Sequence, residues 1–282
     1  MANEQQPFQT VIQPKRRLLD FNLKEVWQYR DLISLFVKRN FVAQYKQTIL
    51  GPLWAIIQPL FTTVIFTIIF GNLAGLAPGG VPSFIFYLSG SVAWGYFAGC
   101  LGSTSRTFTG NAGIMGKVYF PRLVMPITSV FSQLISFCIQ FAMMLIFWIY
   151  YWATGALVPS VSVLLFPVLV LQMALLGLGF GVIISSVTTK YRDLVILVGF
   201  GMQLWMYATP VAYDISIIQQ SVMWLYMLNP MTPIINTFRY MFLGVGEFQP
   251  LYYAISWLVT LVVLVFGVLL FNKVEKTFMD TV

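Results

Sequence analysis

Few residues in this chain are of a type that carries chemistry, and none has the spacing of a nucleotide-binding loop. Lys117 follows Gly116, as the lysine of such a loop does. However, Val118 stands where Ser or Thr is required, and Asn111 stands where the motif G-x-x-x-x-G-K-S/T has its first glycine. In a nucleotide-binding loop, the glycines let backbone amides hold the phosphates, and the Ser or Thr hydroxyl binds magnesium. The sequence therefore predicts that this chain does not hydrolyse ATP.

Residues for metal or acid–base chemistry are also scarce. The chain has no histidine and only two cysteines, Cys100 and Cys138, which fall in different apolar runs. A zinc site needs several clustered ligands, so we predict no metal site. Of the nine acidic residues, only Asp214 and Glu247 fall in segments predicted below to lie outside, and we interpret both as charges at loop ends. We predict neither catalysis nor a cofactor bound by this chain.

The composition indicates that the bilayer is the solvent. Hydrophobic residues make up 59% of the 282 residues and charged residues 9%, whereas a soluble domain carries about 25% charged residues. A net charge of +7 on a soluble protein would suggest nucleic acid. In a membrane protein such charge sets orientation, and we predict no nucleic-acid partner.

The apolar runs predict an all-α integral membrane protein with six transmembrane helices. About 20 apolar residues cross a bilayer as a helix, because the backbone must satisfy its own hydrogen bonds in lipid. Each of the six runs lacks Asp, Glu, Lys and Arg. The predicted spans are 53–74, 84–102, 126–152, 163–187, 194–210 and 251–271.

The basic residues predict the orientation. If the N-terminus is cytoplasmic, the inner segments are 1–52, 103–125, 188–193 and 272–282, and they hold 15 of the 16 Lys and Arg residues. Arg239 is then the only outer cation. Because cytoplasmic loops retain Lys and Arg, we predict that both termini are cytoplasmic. We divide the chain into an N-terminal cytoplasmic tail, 1–24, and a permease domain, 25–282.

Two regions outside the spans have helical patterns of their own. Apolar residues recur every four positions from Tyr29 to Tyr45, flanked by cations, which predicts an amphipathic helix over 25–50 at the inner membrane surface. The outer segment holds two apolar pieces, 216–228 and 232–244, each too short to cross. They predict re-entrant helices that line or cap a pathway; the alternative is an interfacial hairpin without a gating role.

The two inner loops, with the surface helix, predict a docking face for a soluble partner. Glycines and prolines fix the direction of the segment 110–126, and 188–194 is shorter but similar. The alternative is that both are basic connectors beside lipid headgroups. Because the spans lack the titratable groups that ion-coupled carriers use, we expect the energy for transport to come from that partner. The candidate docking residues are Arg39, Lys46, Lys117, Tyr119, Phe120, Arg122, Tyr191 and Arg192.

Four stretches resemble the permease subunits of ABC exporters for lipid-linked polysaccharides, which include O-antigen, capsule and teichoic-acid exporters. They are YRDLISLFVKRNFVAQYKQTILGPLWAIIQPL (29–60), GKVYFPRLVMP (116–126), KYRDL (190–194) and NPMTPIINTFRYMFLG (229–244). They occur in the family's order and spacing. The resemblance covers residues 25 to 280.

The resemblance implies a homodimer in the bacterial inner membrane with two copies of a separate ATPase, which binds ATP and magnesium. It implies a pore lined by the first and fifth spans, where Phe61, Phe66, Trp205 and Tyr207 are candidates for stacking on sugar rings. It also implies an outer gate, to which we assign Asn229, Pro230 and Arg239. Arg239 either meets a diphosphate or caps a short helix.

The predicted function is export of undecaprenyl-diphosphate-linked polysaccharide, with O-antigen preferred. Teichoic-acid or capsule export, or export of a small molecule by an ABC exporter, remain alternatives within the class. A secondary carrier and a membrane-embedded glycosyltransferase or polymerase are the alternatives outside it. Moving an unpaired polar group from water into hydrocarbon costs on the order of several kcal/mol. A water-filled pore would spare the polar polymer this cost.

Overall fold

The protein is entirely helical over the residues described. The computed structural model describes residues 23 to 278, apart from 47, 116, 119, 158, 159, 190 and 192. The predicted tail therefore lies outside the described residues, except for its last two positions. The α-helices are α1 (Leu23–Gln28), α2 (Arg30–Tyr45), α3 (Trp54–Phe66), α4 (Ser83–Thr104), α5 (Thr107–Met115), α6 (Val124–Ala153), α7 (Phe166–Thr188), α8 (Leu194–Tyr207), α9 (Gln220–Leu228), α10 (Met231–Leu243) and α11 (Pro250–Phe278).

Five helical segments of the described chain are long and apolar enough to span a membrane. They match the first four and the last of the predicted spans, and the all-helical prediction is confirmed. The first segment joins a short 3₁₀ turn, α3 and a π-helical stretch, Thr67–Leu73. The five segments are Gly51–Leu73, Ser83–Thr104, Val124–Ala153, Ser162–Thr188 and Pro250–Val274.

The predicted span 194–210 appears as the shorter helix α8. Its 14 residues extend about 21 Å at 1.5 Å per residue, which is less than the roughly 30 Å of a hydrocarbon core. No residue of α8 is buried, so this helix lies at the edge of the protomer. Its crossing of the membrane stays a prediction.

The core is built around α4, which packs against α3, α6, α7 and α10. Close helix approach on one side of α4 depends on small residues. A Cβ atom added to Gly181 of α7 would lie 2.5 Å from the Cβ of Thr104, and one added to Gly177 would lie 2.6 Å from the Cβ of Cys100. Such contacts pack helices in a membrane, where the hydrophobic effect between them is absent.

Candidate functional site

A second, smaller hydrophobic core lies at the end of the molecule that carries α1, α2 and α5. It joins these helices to the beginning of α6 and to α7 and α11. Phe36 of α2 and Phe120 of the predicted docking loop meet there edge to face, with ring centroids 6.1 Å apart, and both are buried. Phe120 thus fixes the loop to the N-terminal helix and is not itself exposed to a partner. The buried members are Val26, Phe36, Phe108, Met115, Phe120, Val124, Met125, Val182 and Phe271.

The predicted docking cations lie around this small core. Arg39, Lys46 and Lys117 are exposed, and Arg122 is half-buried. The guanidinium of Arg39 lies 4.6 Å from the centroid of the Phe36 ring, and its Nη2 donates to Asn40 Oδ1 at 3.0 Å. Tyr191 is exposed, whereas Tyr119 and Arg192 lie outside the described residues. The fold therefore brings α2 and the loop 117–122 together at one end of the protein.

The four aromatic residues proposed to line a pore fall into two pairs. Phe61 is 68% exposed and Tyr207 is 46% exposed. Phe66 is buried, with its ring centroid 5.3 Å from that of Phe70. Trp205 packs between Phe97 and Phe180, both at 5.1 Å. Phe66 and Trp205 thus pack against other aromatic rings of the protomer, whereas Phe61 and Tyr207 are exposed, and pore lining by the four residues stays a prediction.

Asn229 joins α8 to the beginning of α10. Its Oδ1 accepts from Trp205 Nε1 at 3.0 Å and from the backbone N–H of Met231 at 3.1 Å. Its Nδ2 donates to Thr209 Oγ1 at 2.8 Å. The amide therefore satisfies a free N–H in the first turn of α10, as an N-cap residue does, and fixes the end of α8 at the same time.

Pro230 is held from the other side by α7 and α11. Its carbonyl accepts a hydrogen bond from Ser256 Oγ at 2.8 Å, and that hydroxyl accepts from Gln172 Nε2 at 2.9 Å. The break between α9 and α10 is therefore tied to two long helices as well as to α8. In this structure the two gate candidates Asn229 and Pro230 belong to a fixed junction.

Arg239 is the largest fully buried side chain of the described protein. Its Nη1 donates to the carbonyl oxygens of Pro210 and Tyr213 at 2.6 and 3.3 Å, and its Nη2 donates to that of Val211 at 2.7 Å. These carbonyls belong to the turn after α8, which ends at Tyr207. The bonds hold this turn against α10, and both roles predicted for Arg239 stay predictions.

The surroundings of Arg239 favour its charged form in spite of burial. Its Cζ lies 3.6 Å from the centroid of the Phe86 ring, which is a cation–π distance. Burial lowers the pKa of Arg239 to about 9, and the nearby Asp214 carboxylate opposes that shift. The guanidinium is therefore still protonated at neutral pH. Its Nε has no partner among the described residues.

Gly90 of α4 belongs to the same arrangement, and the sequence analysis did not identify it. A Cβ at this position would lie 2.6 Å from Nη2 of Arg239 and 3.1 Å from the carbonyl oxygen of Val211. Only glycine leaves room for the guanidinium against α4. No local pattern in the sequence indicates this contact, because Gly90 and Arg239 are far apart in the chain.

Comparison with known proteins assigns the chain to a family. The profile of the ABC-2 type transporter family matches residues 31–243, which is more than half of the chain. The chain belongs to the ABC-2 type transporter family. The match begins in α2 and ends with α10, so it includes both the docking loop and the junction at Asn229.

Two proteins from other organisms align with most of this chain and with most of their own length. The O-antigen export system permease protein RfbA of Klebsiella pneumoniae is 27% identical over 252 residues, 89% of this chain and 94% of that protein. The protein of the same name from Myxococcus xanthus is 29% identical over 225 residues, 78% of this chain and 83% of that protein. The resemblance seen in the sequence motifs is thereby confirmed.

Proposed function

We propose that the chain is the membrane subunit of an ATP-driven exporter of undecaprenyl-diphosphate-linked polysaccharide, with O-antigen as the cargo. The observation that carries the proposal is the near full-length similarity to O-antigen export permeases from two organisms. A separate nucleotide-binding subunit supplies ATP hydrolysis and binds magnesium. The permease itself binds no cofactor.

The helices support an external energy source. The five spanning segments contain one charged residue, Lys273 at the end of α11. Within the described chain no group of three His, Cys, Asp or Glu residues is placed to hold a metal ion. Carriers driven by ion gradients commonly place titratable groups within the membrane. A subunit without them fits a conduit that another subunit drives.

The topology we propose has six spans, with both termini in the cytoplasm of a bacterium and the chain in its inner membrane. In it α8 and the turn after it form the fifth span, α1 and α2 lie at the inner surface, and α9 and α10 re-enter from outside. Non-helical backbone at membrane depth must be enclosed by protein or water. The bonds of Arg239, Asn229 and Ser256 to the turns around α9 and α10 provide such an enclosure.

A second copy of the chain completes the conduit in this proposal. α3 and α8 carry the outward rings of Phe61 and Tyr207, and each helix has several other exposed apolar residues. When two protomers bring these helices together, the rings face a shared axis. Flat aromatic faces there would stack on sugars without fixing one register, because stacking is tolerant of the ring presented.

The ATPase docks, in this proposal, on the end that carries the small core. There Lys117 and Arg122 stand on a loop that Phe120 fixes to α2, and α2 packs along α6. A push on the loop is thus passed to a spanning helix through packed side chains. The exposed cations Arg39 and Lys46 extend the same face, and Tyr119, Tyr191 and Arg192 remain its candidates from the loops.

The test is ATP-dependent export by the purified complex in proteoliposomes. The chain should co-purify with a P-loop ATPase and translocate lipid-linked polymer only with ATP and magnesium. Reversing both loop charges, Lys117→Glu with Arg122→Glu, should leave ATPase activity but abolish its coupling to export. The control Lys24→Glu with Lys38→Glu makes the same change in net charge on α1 and α2 and should stay coupled. Normal export by the loop variant would remove the docking role.

Cysteine labelling tests the proposed topology with two positions of equal exposure. Val118 and Trp224 are each 58% exposed, one in the docking loop and one on α9. In a background with Cys138→Ala, a membrane-impermeant maleimide should label Trp224→Cys in intact spheroplasts. It should label Val118→Cys only after lysis. The reverse pattern would contradict the topology.

A further inference from the structure

A polar cavity of about 370 Å³ lies among the spanning helices, near the C-terminal end of α2. Its walls come from α3, α4, α6 and α8. The size falls within the roughly 300 to 1,000 Å³ of small-molecule pockets. Amide side chains line it from three helices. They belong to Gln44, Gln58, Gln133 and Gln140.

These amides are not used by the fold. Among the described residues, no hydrogen bond joins the side chain of Gln58, Gln133 or Gln140 to another protein group, in contrast to Gln172, which donates to Ser256. Ser91 also lines the cavity, and its Oγ is fully buried without a partner in the described chain. Of these groups only the Ser91 hydroxyl is buried, and buried polar groups in native proteins nearly always have a partner. Gln133 and Gln140 are half-buried and Gln58 is exposed, so their amides face an open cavity in which they can bind a ligand or water.

The packing of α4 against α6 keeps the amides at the wall. A Cβ added to Gly99 would lie 2.6 Å from Oε1 of Gln133, and one added to Gly95 would lie 3.4 Å from Oε1 of Gln140. The Gln133 amide therefore lies so close to Gly99 that a larger residue there would displace it, whereas the Gln140 amide makes an ordinary contact with Gly95. Along the interface between α4 and α6, Gly99 thus lies next to Gln133 and Gly95 next to Gln140.

The chemistry of the cavity selects the kind of ligand. An amide offers one acceptor and two donors, which is what a sugar hydroxyl needs, since it both donates and accepts. The residues lining the cavity include no Asp, Glu, Lys or Arg, so nothing there compensates a diphosphate. Trp94 adds an aromatic wall, and its ring centroid lies 6.2 Å from that of Trp205. The lining suits the uncharged part of a glycan.

The cavity also adjoins the outward face of α3. Gln58 and Thr62 lie one helical turn apart, and Phe61 is three residues from Gln58, so all three share one side of the helix. Gln58 and Phe61 are exposed. A polymer that stacks on Phe61 would therefore reach the amides without leaving the surface of α3.

We propose that this cavity binds uncharged, hydroxyl-rich sugar units of the polymer during export. The inference rests on the proposed function and adds a binding site beside the conduit. The amides form hydrogen bonds with the sugar hydroxyls, while the diphosphate end passes without binding there. A site of this kind retains the chain between successive strokes of the ATPase and still releases it, because each hydrogen bond to a neutral group is weak.

Site-specific crosslinking in the complete exporter tests the site. A diazirine amino acid is placed at Gln133, at Phe61 and at Phe131, in cells that make the lipid-linked polymer and in cells that do not. Phe131 is two residues from Gln133 on α6 and 49% exposed, so it reports the lipid at a similar depth. We expect glycan-stained adducts at Gln133 and Phe61 that require polymer synthesis, and none at Phe131.

The outcomes separate this inference from the proposed function. Adducts at Phe61 but not at Gln133 would overturn the cavity as a sugar site and leave the exporter proposal standing. No glycan adduct at either position, with surface polymer unchanged when the chain is deleted, would overturn the exporter proposal. Phospholipid adducts at Gln133 would also overturn the inference, since they would show that lipid fills the cavity.

A transport measurement gives a second, independent test. The double variant Gln133→Met with Gln140→Met keeps the side-chain volumes and removes the amides. Losing hydrogen bonds to the polymer should slow export roughly tenfold, while the elution profile of the complex shows that it still assembles. The control Ile135→Gln with Phe131→Met changes the opposite face of α6 and should export at the normal rate. Normal export by the amide variant would contradict the site.

Discussion

Two polar features lie inside this otherwise apolar helical protein, and they are opposite in design. Around Arg239, a charged group is surrounded by three backbone carbonyls and a phenylalanine ring, all supplied by the same chain. In the glutamine cavity, neutral amides from α3 and α6 find no partner in the described chain. In the first arrangement both terminal nitrogens of the guanidinium have partners, and only Nε has none among the described residues. In the second, no amide side chain from α3 or α6 has a partner in that part of the chain.

The difference separates structural from functional polarity. A polar group that the fold needs is bonded, because leaving it unpaired in an apolar interior costs free energy. A polar group left unpaired within spanning helices is costly to the fold, so its retention indicates another use. Arg239, which the sequence predicts to be the single outer cation at a gate, belongs to the first kind. The glutamines belong to the second.

The largest effect is expected at Arg239. Arg239→Leu would leave the carbonyls of Pro210, Val211 and Tyr213 without a donor and should destabilise the protein by about 3 to 5 kcal/mol. Thermal unfolding followed by size-exclusion chromatography in detergent would show a lower midpoint. Arg239→Lys keeps the charge but offers a single donor atom, so its midpoint should fall between the two. A stable Leu variant that has lost export would instead assign Arg239 to the substrate path.

A smaller loss is expected at Gly90. Gly90→Ala places a methyl group 2.6 Å from the guanidinium, and such overpacking typically costs about 1 to 3 kcal/mol. Gly102→Ala is the control on the same helix, because nothing lies within 4 Å of its added Cβ. The control should be neutral or slightly stabilising. Equal midpoints for the two variants would show that Gly90 is not needed to seat Arg239.

Gln172→Met examines a glutamine whose amide nitrogen donates a hydrogen bond, although its Oε1 has no partner among the described residues. Gln172 is buried and donates to Ser256, which in turn donates to the carbonyl of Pro230. Removing the amide should lower stability by about 1 to 2 kcal/mol, the effect of one buried hydrogen bond. In a Ser256→Ala background, which already lacks this bond, Gln172→Met should cost less than in the unchanged protein. An equal cost in both backgrounds would show that the packing of the amide, and not the bond, is the cause.

The smallest effect on stability is expected for a substitution in the cavity, and any change should be a gain where the preceding variants show a loss. Gln133→Met makes the same substitution as at Gln172 but removes no hydrogen bond of the described chain. Stability should stay constant or rise by up to about 1 kcal/mol, because an unpaired amide is replaced by a thioether of similar volume. The same thermal assay applies. A loss as large as that of Gln172→Met would abolish the distinction between the two kinds of glutamine.

The sequence by itself determined the class and the positions of the helices. Apolar runs without charges predicted five segments of spanning length to within about two residues at most ends, because a backbone in lipid can only be helical or a closed barrel. The predicted fifth span has only 17 residues, and the helix α8 within it has 14. The break at Asn229 and Pro230 was also evident, since proline favours a helix start.

Only the tertiary structure decided which side chains face inward. The sequence does not distinguish Phe61 from Phe66 as a pore-lining residue, yet Phe61 is exposed and Phe66 is buried. When every position of a helix is apolar, the sequence holds no contrast between the side that meets lipid and the side that meets protein. The burial of Arg239, the space at Gly90 and the meeting of glutamines from α3 and α6 all depend on contacts between helices far apart in the chain.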